Sequence, residues 1–275
     1  MSHYQLGHED QELARLELQS RVYRPLTEAL LRDAGLRPGM RVLDVGCGVG
    51  DVSFLIAELV GPKGKVVGID SAERPLEWAR QRALKQGLSQ VEFIHAAMES
   101  FSSSQPFDAV VGRLVLAHQP DPLAFLRRMG EHLVPGGVLV CHEMDFSSCP
   151  MAHPSIPLFD RMHEWLLGLE KLLPLRIRMG QELVGLMRQA GFKVEGCRYE
   201  GPVGAHVEDD VEVLRVVTEG TRTLMPHVVR LGLATAAEMD IDTLEQRVRD
   251  EARASGGMFI PFMMGGAWTR RPAAT

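Results

Sequence analysis

Residues Val42-Leu43-Asp44-Val45-Gly46-Cys47-Gly48-Val49-Gly50-Asp51 decide how this chain folds. The run Arg41 to Val45 is short, apolar and stopped by glycine, which predicts a buried strand. Glycines at 46, 48 and 50 then make a tight turn into a helix, the arrangement that brings a ligand close to the backbone at the carboxyl edge of a sheet. A dinucleotide turn follows G-x-G-x-x-G, and Asp51 stands where its third glycine belongs. Asp44, inside the strand end, would repel phosphate and suits a cationic ligand. Twenty residues past Gly50, Asp70 ends the next apolar run, where a carboxylate can accept two hydrogen bonds from ribose hydroxyls. The three signals select a positively charged nucleoside over a dinucleotide.

Outward from this turn, strands and helices alternate. Helices are expected from Phe54 to Leu59, from Ala72 to Lys85 with Gly87 as its stop, and from Asp121-Pro122 to about Leu133. Strands are expected at Lys65–Ile69, Val91–Ile94, Phe107–Val111 and Val138–Cys141, the last entered through Pro135-Gly136-Gly137. Alternation at this spacing predicts an α/β fold: a doubly wound, mostly parallel sheet of seven strands. Before it, the first forty residues read as two helical pieces, with Pro25 opening the second and Gly35 ending it. After Asp145 the pattern loosens. Segment 146–153 reads as loop, 155–173 and 178–190 as helices, and Phe192–Tyr199 as a strand. Residues 203–257 read as helical, with Pro226 breaking the first helix, and Met258–Trp268 as an edge or hairpin strand. No linker divides the chain, so one domain is expected. Its parts are an N-terminal helical cap (1–37), a ligand-binding core (38–145), helical lid elements (146–177 and 201–257) and the last strand (258–269).

Composition narrows the function by exclusion. The 275 residues contain 30 Lys and Arg against 36 Asp and Glu, a net charge of −6. No basic block is present, which argues against nucleic acid as a partner. No apolar run approaches a membrane span, and Met1-Ser2-His3-Tyr4 lacks a signal-peptide pattern. Cys47, Cys141, Cys149 and Cys197 are far apart and form no C-x-x-C pair, so they read as reduced thiols of a cytoplasmic protein.

Four stretches in order then resemble the class I methyltransferases that use S-adenosyl-L-methionine: V-L-D-V-G-C-G-V-G at 42–50, G-P-K-G-K-V-V-G-I-D at 61–70, F-D-A-V-V-G-R-L-V-L-A-H-Q-P-D-P at 107–122 and L-V-P-G-G-V-L-V at 133–140. The resemblance covers about residues 38–145. It implies that Gly46 and Gly48 pass the methionine part, Asp44 sits near its ammonium, Asp70 holds the ribose, and Ser71 and Ala72 flank the adenine. Ala97 stands where many relatives carry an Asp that meets the adenine amino group. Met98 would serve the ring through its backbone N–H and its side chain, with Glu99 as the alternative carboxylate. Arg113 matches the position that contacts the methionine carboxylate or lines the active site. Arg15, Leu16 and Gln19, with Tyr4 before them, resemble a capping helix over the cofactor.

Methyl transfer from a sulfonium is an in-line displacement in which alignment in a dry site does most of the work. A general base, where one is needed, should come from loops at the carboxyl ends of strands four and five or from the lid. That selects His118 first, then His142 and Glu143; these last two alternate along one strand, so one of them at most faces the site. His142, Glu143, Asp145 and His153 match no metal-ligand spacing, and metal-free chemistry ranks first. Ten of the fourteen methionines lie at or after Met144. With Phe259, Phe262 and Trp268 they suggest an adaptable apolar pocket, against the plainer reading of methionine as core filler.

The expected function is methyl transfer to an oxygen or carbon of a small, largely apolar metabolite of secondary metabolism, with a homodimer as an open alternative. The rival is a protein of the same fold that binds the cofactor or a metabolite without transferring methyl. A nicotinamide oxidoreductase ranks third, because Asp44 and Asp51 oppose it.

Overall fold

The computed structural model describes residues 10–148, 150–172 and 176–272; Tyr4, Cys149 and Pro174 fall outside them. The chain begins with helix α1 (Asp10–Asp33) and enters β1 (Arg41–Val45). It continues through α2 (Asp51–Val60), β2 (Lys65–Asp70), α3 (Glu73–Gln86), β3 (Val91–His95) and β4 (Phe107–Arg113). A single 3₁₀ turn (Leu116–His118) precedes α4 (Pro122–Glu131), whose N-cap Asp121 accepts the N–H groups of Leu123 and Ala124. Next come β5 (Leu133–Asp145), β6 (Met151–His153), α5 (Pro157–Leu172), α6 (Met179–Gln189) and β7 (Val194–Glu200). The last elements are α7 (Val211–Arg230), α8 (Ala236–Met239), α9 (Leu244–Ser255), β8 (Met258–Ile260) and β9 (Met263–Arg270).

Seven strands form one sheet in the order β3-β2-β1-β4-β5-β9-β7. Neighbours from β3 to β5 pair in parallel, while β9 runs antiparallel to both β5 and β7. The α/β, mostly parallel, seven-stranded architecture is therefore the expected one, with α7–α9 inserted before the last strand. One face is covered by α1 and α2, where Leu30 and Leu31 meet Leu55, Ile56 and Val60. The other is covered by α4 and α6 through Phe125, Leu126, Met129, Leu183 and Met187. A further core joins α5, α7 and α9 around Phe159, Trp165, Val217 and Val248.

Several local expectations are corrected. Among the described residues from 10 to 40 there is one helix, with Pro25 inside it. Pro226 likewise lies inside α7. A proline removes one intrahelical hydrogen bond, but both helices are held by tertiary contacts on either side. Arg21 of α1 pairs with Glu212 of α7 at 2.8 Å, and Tyr23 is buried. Thr221 and Val228 bracket Pro226 and are also buried.

Segment 146–153 is not wholly loop, because β6 pairs with β8 in a separate two-stranded sheet. Nor is 258–269 a single edge strand. Pro261 separates β8 from β9, and β9 lies inside the large sheet while β7 takes the edge. The pair Gly265-Gly266 within this segment serves close packing. A Cβ on Gly265 would fall 2.0 Å from the Gly180 carbonyl oxygen, and one on Gly266 would fall 2.6 Å from Leu30. These glycines let α6 and α1 press directly on the sheet.

Candidate active site

The sheet changes winding direction at β1, which pairs with β2 on one side and β4 on the other. Ligand crevices open at the carboxyl ends of strands at such a point. A cavity of about 520 Å³ lies there, lined by the glycine turn, the ends of β2 and β3, the segment after β4, and Leu16 and Gln19 of α1. That is within the usual size range of small-ligand sites, roughly 300–1,000 Å³.

The glycine turn is built by backbone need. Gly46, Gly48 and Gly50 all have positive φ, at 69°, 53° and 87°. Their environments differ. A Cβ on Gly46 would fall 2.8 Å from Val115 Cγ2, and one on Gly50 would meet Phe93 and Phe54. A Cβ on Gly48 would meet nothing within 4 Å. Gly48 therefore keeps open space on the cavity wall, whereas Gly46 and Gly50 permit packing.

Asp70 ends β2 half-buried. Its Oδ2 accepts the Gly48 N–H and its Oδ1 the Ala72 N–H, each at 2.9 Å. Each carboxylate oxygen has further lone-pair capacity, so the pair can still receive vicinal hydroxyls from the cavity. Ser71, Ala72, Ala97, Met98 and Glu99 line the same end. Met98 is also packed into the core below, and Glu99 is exposed.

Asp44 takes a different place. It does not line the cavity; it is buried beneath the turn, and its Oδ2 accepts the Ser53 hydroxyl at 2.6 Å. Burial raises its pKa to about 6, against the lowering effects of the Ser53 hydroxyl and the Arg113 charge. The place read for it, near the ammonium, is thus one layer beneath the cavity wall. Arg113 does line the cavity and donates to Ser20 of α1 at 3.2 Å. Desolvation lowers its pKa, opposed by Asp51 and Asp44. Gln19 lines the wall with its carbonyl already held by Arg15 at 2.8 Å.

Of the three acid–base candidates, His118 alone lines the cavity. Surrounding protein lowers its pKa first and the nearby Arg15 charge second, so the imidazole is neutral at pH 7. His142 is fully buried on the opposite sheet face, with Nδ1 3.2 Å from the Thr27 hydroxyl of α1; burial pushes its pKa down to about 3. Glu143 is fully buried as well. Its Oε1 accepts the N–H groups of Val115 and Leu116 at 3.0 and 2.9 Å. Neither lines the cavity, so the place read for them at its wall is corrected. The register explains this: β5 continues to Asp145, and residues 142–143 are still interior sheet positions paired to Gly266 and Gly265.

The four residues weighed for metal do not converge, since Asp145 caps the start of α6 through the Gln181 N–H at 3.1 Å and His153 lies on exposed β6. Among the described residues no group of three or more His, Cys, Asp or Glu is arranged for a metal ion.

Two residues at or beside the wall escaped the sequence reading. Leu114 has φ 57°, uncommon for a residue with a side chain and costing about 1–3 kcal/mol. It lies in the quoted segment 107–122, but nothing in its chemistry marks it. Arg82 of α3 was also unread. It donates to the Val49 carbonyl at 2.8 Å and to Asp51 at 2.7 Å, fixing the far side of the turn; no local pattern would have found it.

An acid with spare acceptor capacity at the end of β2, an open glycine wall and a buried acid beneath it suit a cationic nucleoside on a doubly wound sheet. Residues 36–191 match the family model described as a methyltransferase domain, and the chain belongs to that family, whose cofactor is S-adenosyl-L-methionine. It is 35% identical over 135 residues to demethylmenaquinone methyltransferases of Staphylococcus aureus, a match covering 49% of this chain and 52% of theirs. The chain thus spans about half the length of the curated relatives it matches. Among solved structures, coclaurine N-methyltransferase bound to N-methylheliamine and S-adenosylhomocysteine superposes with a TM-score of 0.54 at 15% identity, over 90% of this chain and 72% of that one. The [4+2]-cyclase SpnF gives 0.54 at 20%, over 91% and 81%. At such identities the likeness is one of fold.

Proposed function

We propose that this protein transfers a methyl group from S-adenosyl-L-methionine to an oxygen or carbon atom of a small, largely apolar metabolite. The observation that carries the reading is the make-up of the cavity wall. On the β2 and β3 side of the sheet it has Asp70 and the Ala97–Glu99 segment; from the segment after β4, with α1 and α4, it has Leu114, Val115, His118, Leu16 and Phe125. The first part suits the ribose and adenine, the second an apolar acceptor beside a neutral base. The cofactor supplies an electrophilic methyl on sulfonium. Gly48 would leave room for its methionine part, Asp70 would hold the ribose and Arg113 the carboxylate. A His118 ring nitrogen would take the proton that the acceptor loses on gaining the methyl group.

The curated relatives, named for an apolar quinone precursor, support this acceptor class. Leu114 supports the assignment of 146–177 and 201–257 to acceptor choice, because it lines the cavity and also packs on the lid core. The methionines and aromatics of 258–269 favour the plainer reading: Met264, Phe259 and Phe262 are buried in that core, and Met258 is exposed. No helix among the described residues is long and apolar enough to cross a membrane. A cytoplasmic metabolite enzyme remains our reading.

The rival, binding without transfer, draws on Ala97, which lines the cavity where a carboxylate would meet adenine. One experiment separates the two. Calorimetry with S-adenosylhomocysteine should give one site per chain, and a panel of quinols and phenols should yield S-adenosylhomocysteine only when an acceptor is present. Binding without acceptor-dependent product across such a panel favours the rival. No binding at millimolar ligand defeats both.

A further inference from the structure

Glu143 is a fully buried carboxylate that the proposed chemistry does not use. Its Oε1 takes the N–H groups of Val115 and Leu116 together, and the Ala117 N–H acts on it too. These are the first donors of the 3₁₀ turn after β4, the groups that such a turn leaves without an internal partner. The residue before them, Leu114, is held in the left-handed region, with its own N–H on the His142 carbonyl at 2.9 Å. Two consecutive residues of β5 thereby grip the segment that turns from the sheet into the cavity wall.

The grip reaches the cofactor wall through Val115. Its Cγ2 lies so near Gly46 that a Cβ there would stand 2.8 Å away, and its Cγ1 bears equally on Gly112. The same side chain lines the cavity. Through Leu116 the grip sets the other end of the turn: the Gln119 N–H donates to the Leu116 carbonyl at 3.0 Å, and His118 lies between. One buried carboxyl oxygen is thus tied to both the glycine turn and the acid–base candidate.

We propose that Glu143 is the positioning residue of this active site, accepting the turn's N–H groups so that Val115 seats against Gly46 and His118 faces the cavity. The inference rests on the cofactor reading above. What the position requires is an acceptor oxygen at the right reach. Burial supports this, raising the carboxyl pKa to about 7 so that much of the population is neutral near that pH. Oε2 has no hydrogen-bond partner among the described residues.

The test compares Glu143→Gln, which keeps an acceptor oxygen, with Glu143→Met, which keeps the volume and loses it. S-adenosylhomocysteine affinity is measured by calorimetry below each variant's melting temperature. The glutamine variant is expected within roughly threefold of the parent and the methionine variant roughly tenfold or more weaker, because two buried N–H groups lose their partner. A methionine variant that binds like the parent, or a glutamine variant as weak as methionine, overturns the proposal. If the methionine variant does not fold, Val115→Ala in the parent carries the test: weaker binding supports the chain through Gly46, and unchanged binding overturns it. Absence of binding by the parent removes the cofactor reading itself and this inference with it.

Discussion

The backbone N–H of Gly48 donates to Asp70 Oδ2 at 2.9 Å, so the turn after β1 and the acid ending β2 form one rigid unit. The carboxylate both shapes the turn and presents its remaining lone pairs to the cavity. Asp70→Ala is expected to weaken S-adenosyl-L-methionine binding by roughly 10- to 100-fold, the loss of about 1.5–3 kcal/mol from charge-assisted hydrogen bonds. Calorimetry reads this directly, and unchanged affinity would remove Asp70 from the ribose role.

His118→Gln separates binding from chemistry. Cofactor affinity should stay within roughly threefold, while turnover on a competent acceptor falls by about 10²–10⁴, the usual contribution of a general base. Because the His118 pKa lies below its ordinary value, the acid limb of the parent's rate profile should fall below pH 6.5 and vanish in the variant. Retained turnover would leave alignment alone as the source of rate.

Buried carboxyls set a pH dependence of stability. Glu143 rises from 4.5 to about 7 and Asp44 from 3.8 to about 6, both chiefly by burial. The folded state therefore holds protons that the unfolded chain releases. The stability these groups contribute is complete below pH 4 and is lost as pH rises through 6 and 7. Glu143→Gln should flatten this loss by on the order of 3 kcal/mol. Denaturant melts of parent and variant at pH 5 and pH 8 measure it, and parallel pH slopes would contradict it.

Gly265→Ala probes the seam between α6 and β9. The added Cβ would fall 2.0 Å from the Gly180 carbonyl oxygen, a rigid backbone atom. A loss of about 1–3 kcal/mol or more is expected, as for overpacking in a core. Gly48→Ala serves as the control: its Cβ meets nothing within 4 Å, so only the left-handed conformation penalises it, by about 1–2 kcal/mol. Chemical melts of both should rank Gly265→Ala as the more damaging.

The legible parts of the sequence were those where local chemistry and tertiary role coincide. The turn at 46–50, Asp70, and Asp121-Pro122 as cap and first turn all declare themselves by residue type and spacing. Illegibility had specific causes. Pro25 and Pro226 signal a break, but packing on both sides carries each helix through it. Strands β6 and β8 have three residues each, too few for an alternation to register. Gly265-Gly266 resembles an edge signal because close helix approach and strand termination demand the same small residue. His142 and Glu143 are separated by one step of alternation, which limits the site to one of them; only the length of β5 shows that it takes neither.

Helix α1 contributes Leu16 and Gln19 to the cavity and, two residues on, Arg21 to the ion pair with Glu212 of α7. One helix is therefore shared between the cavity wall and the core of α5, α7 and α9, which Leu18 and Tyr23 enter. A substitution in that core that shifts the seat of α1 moves the cavity wall with it.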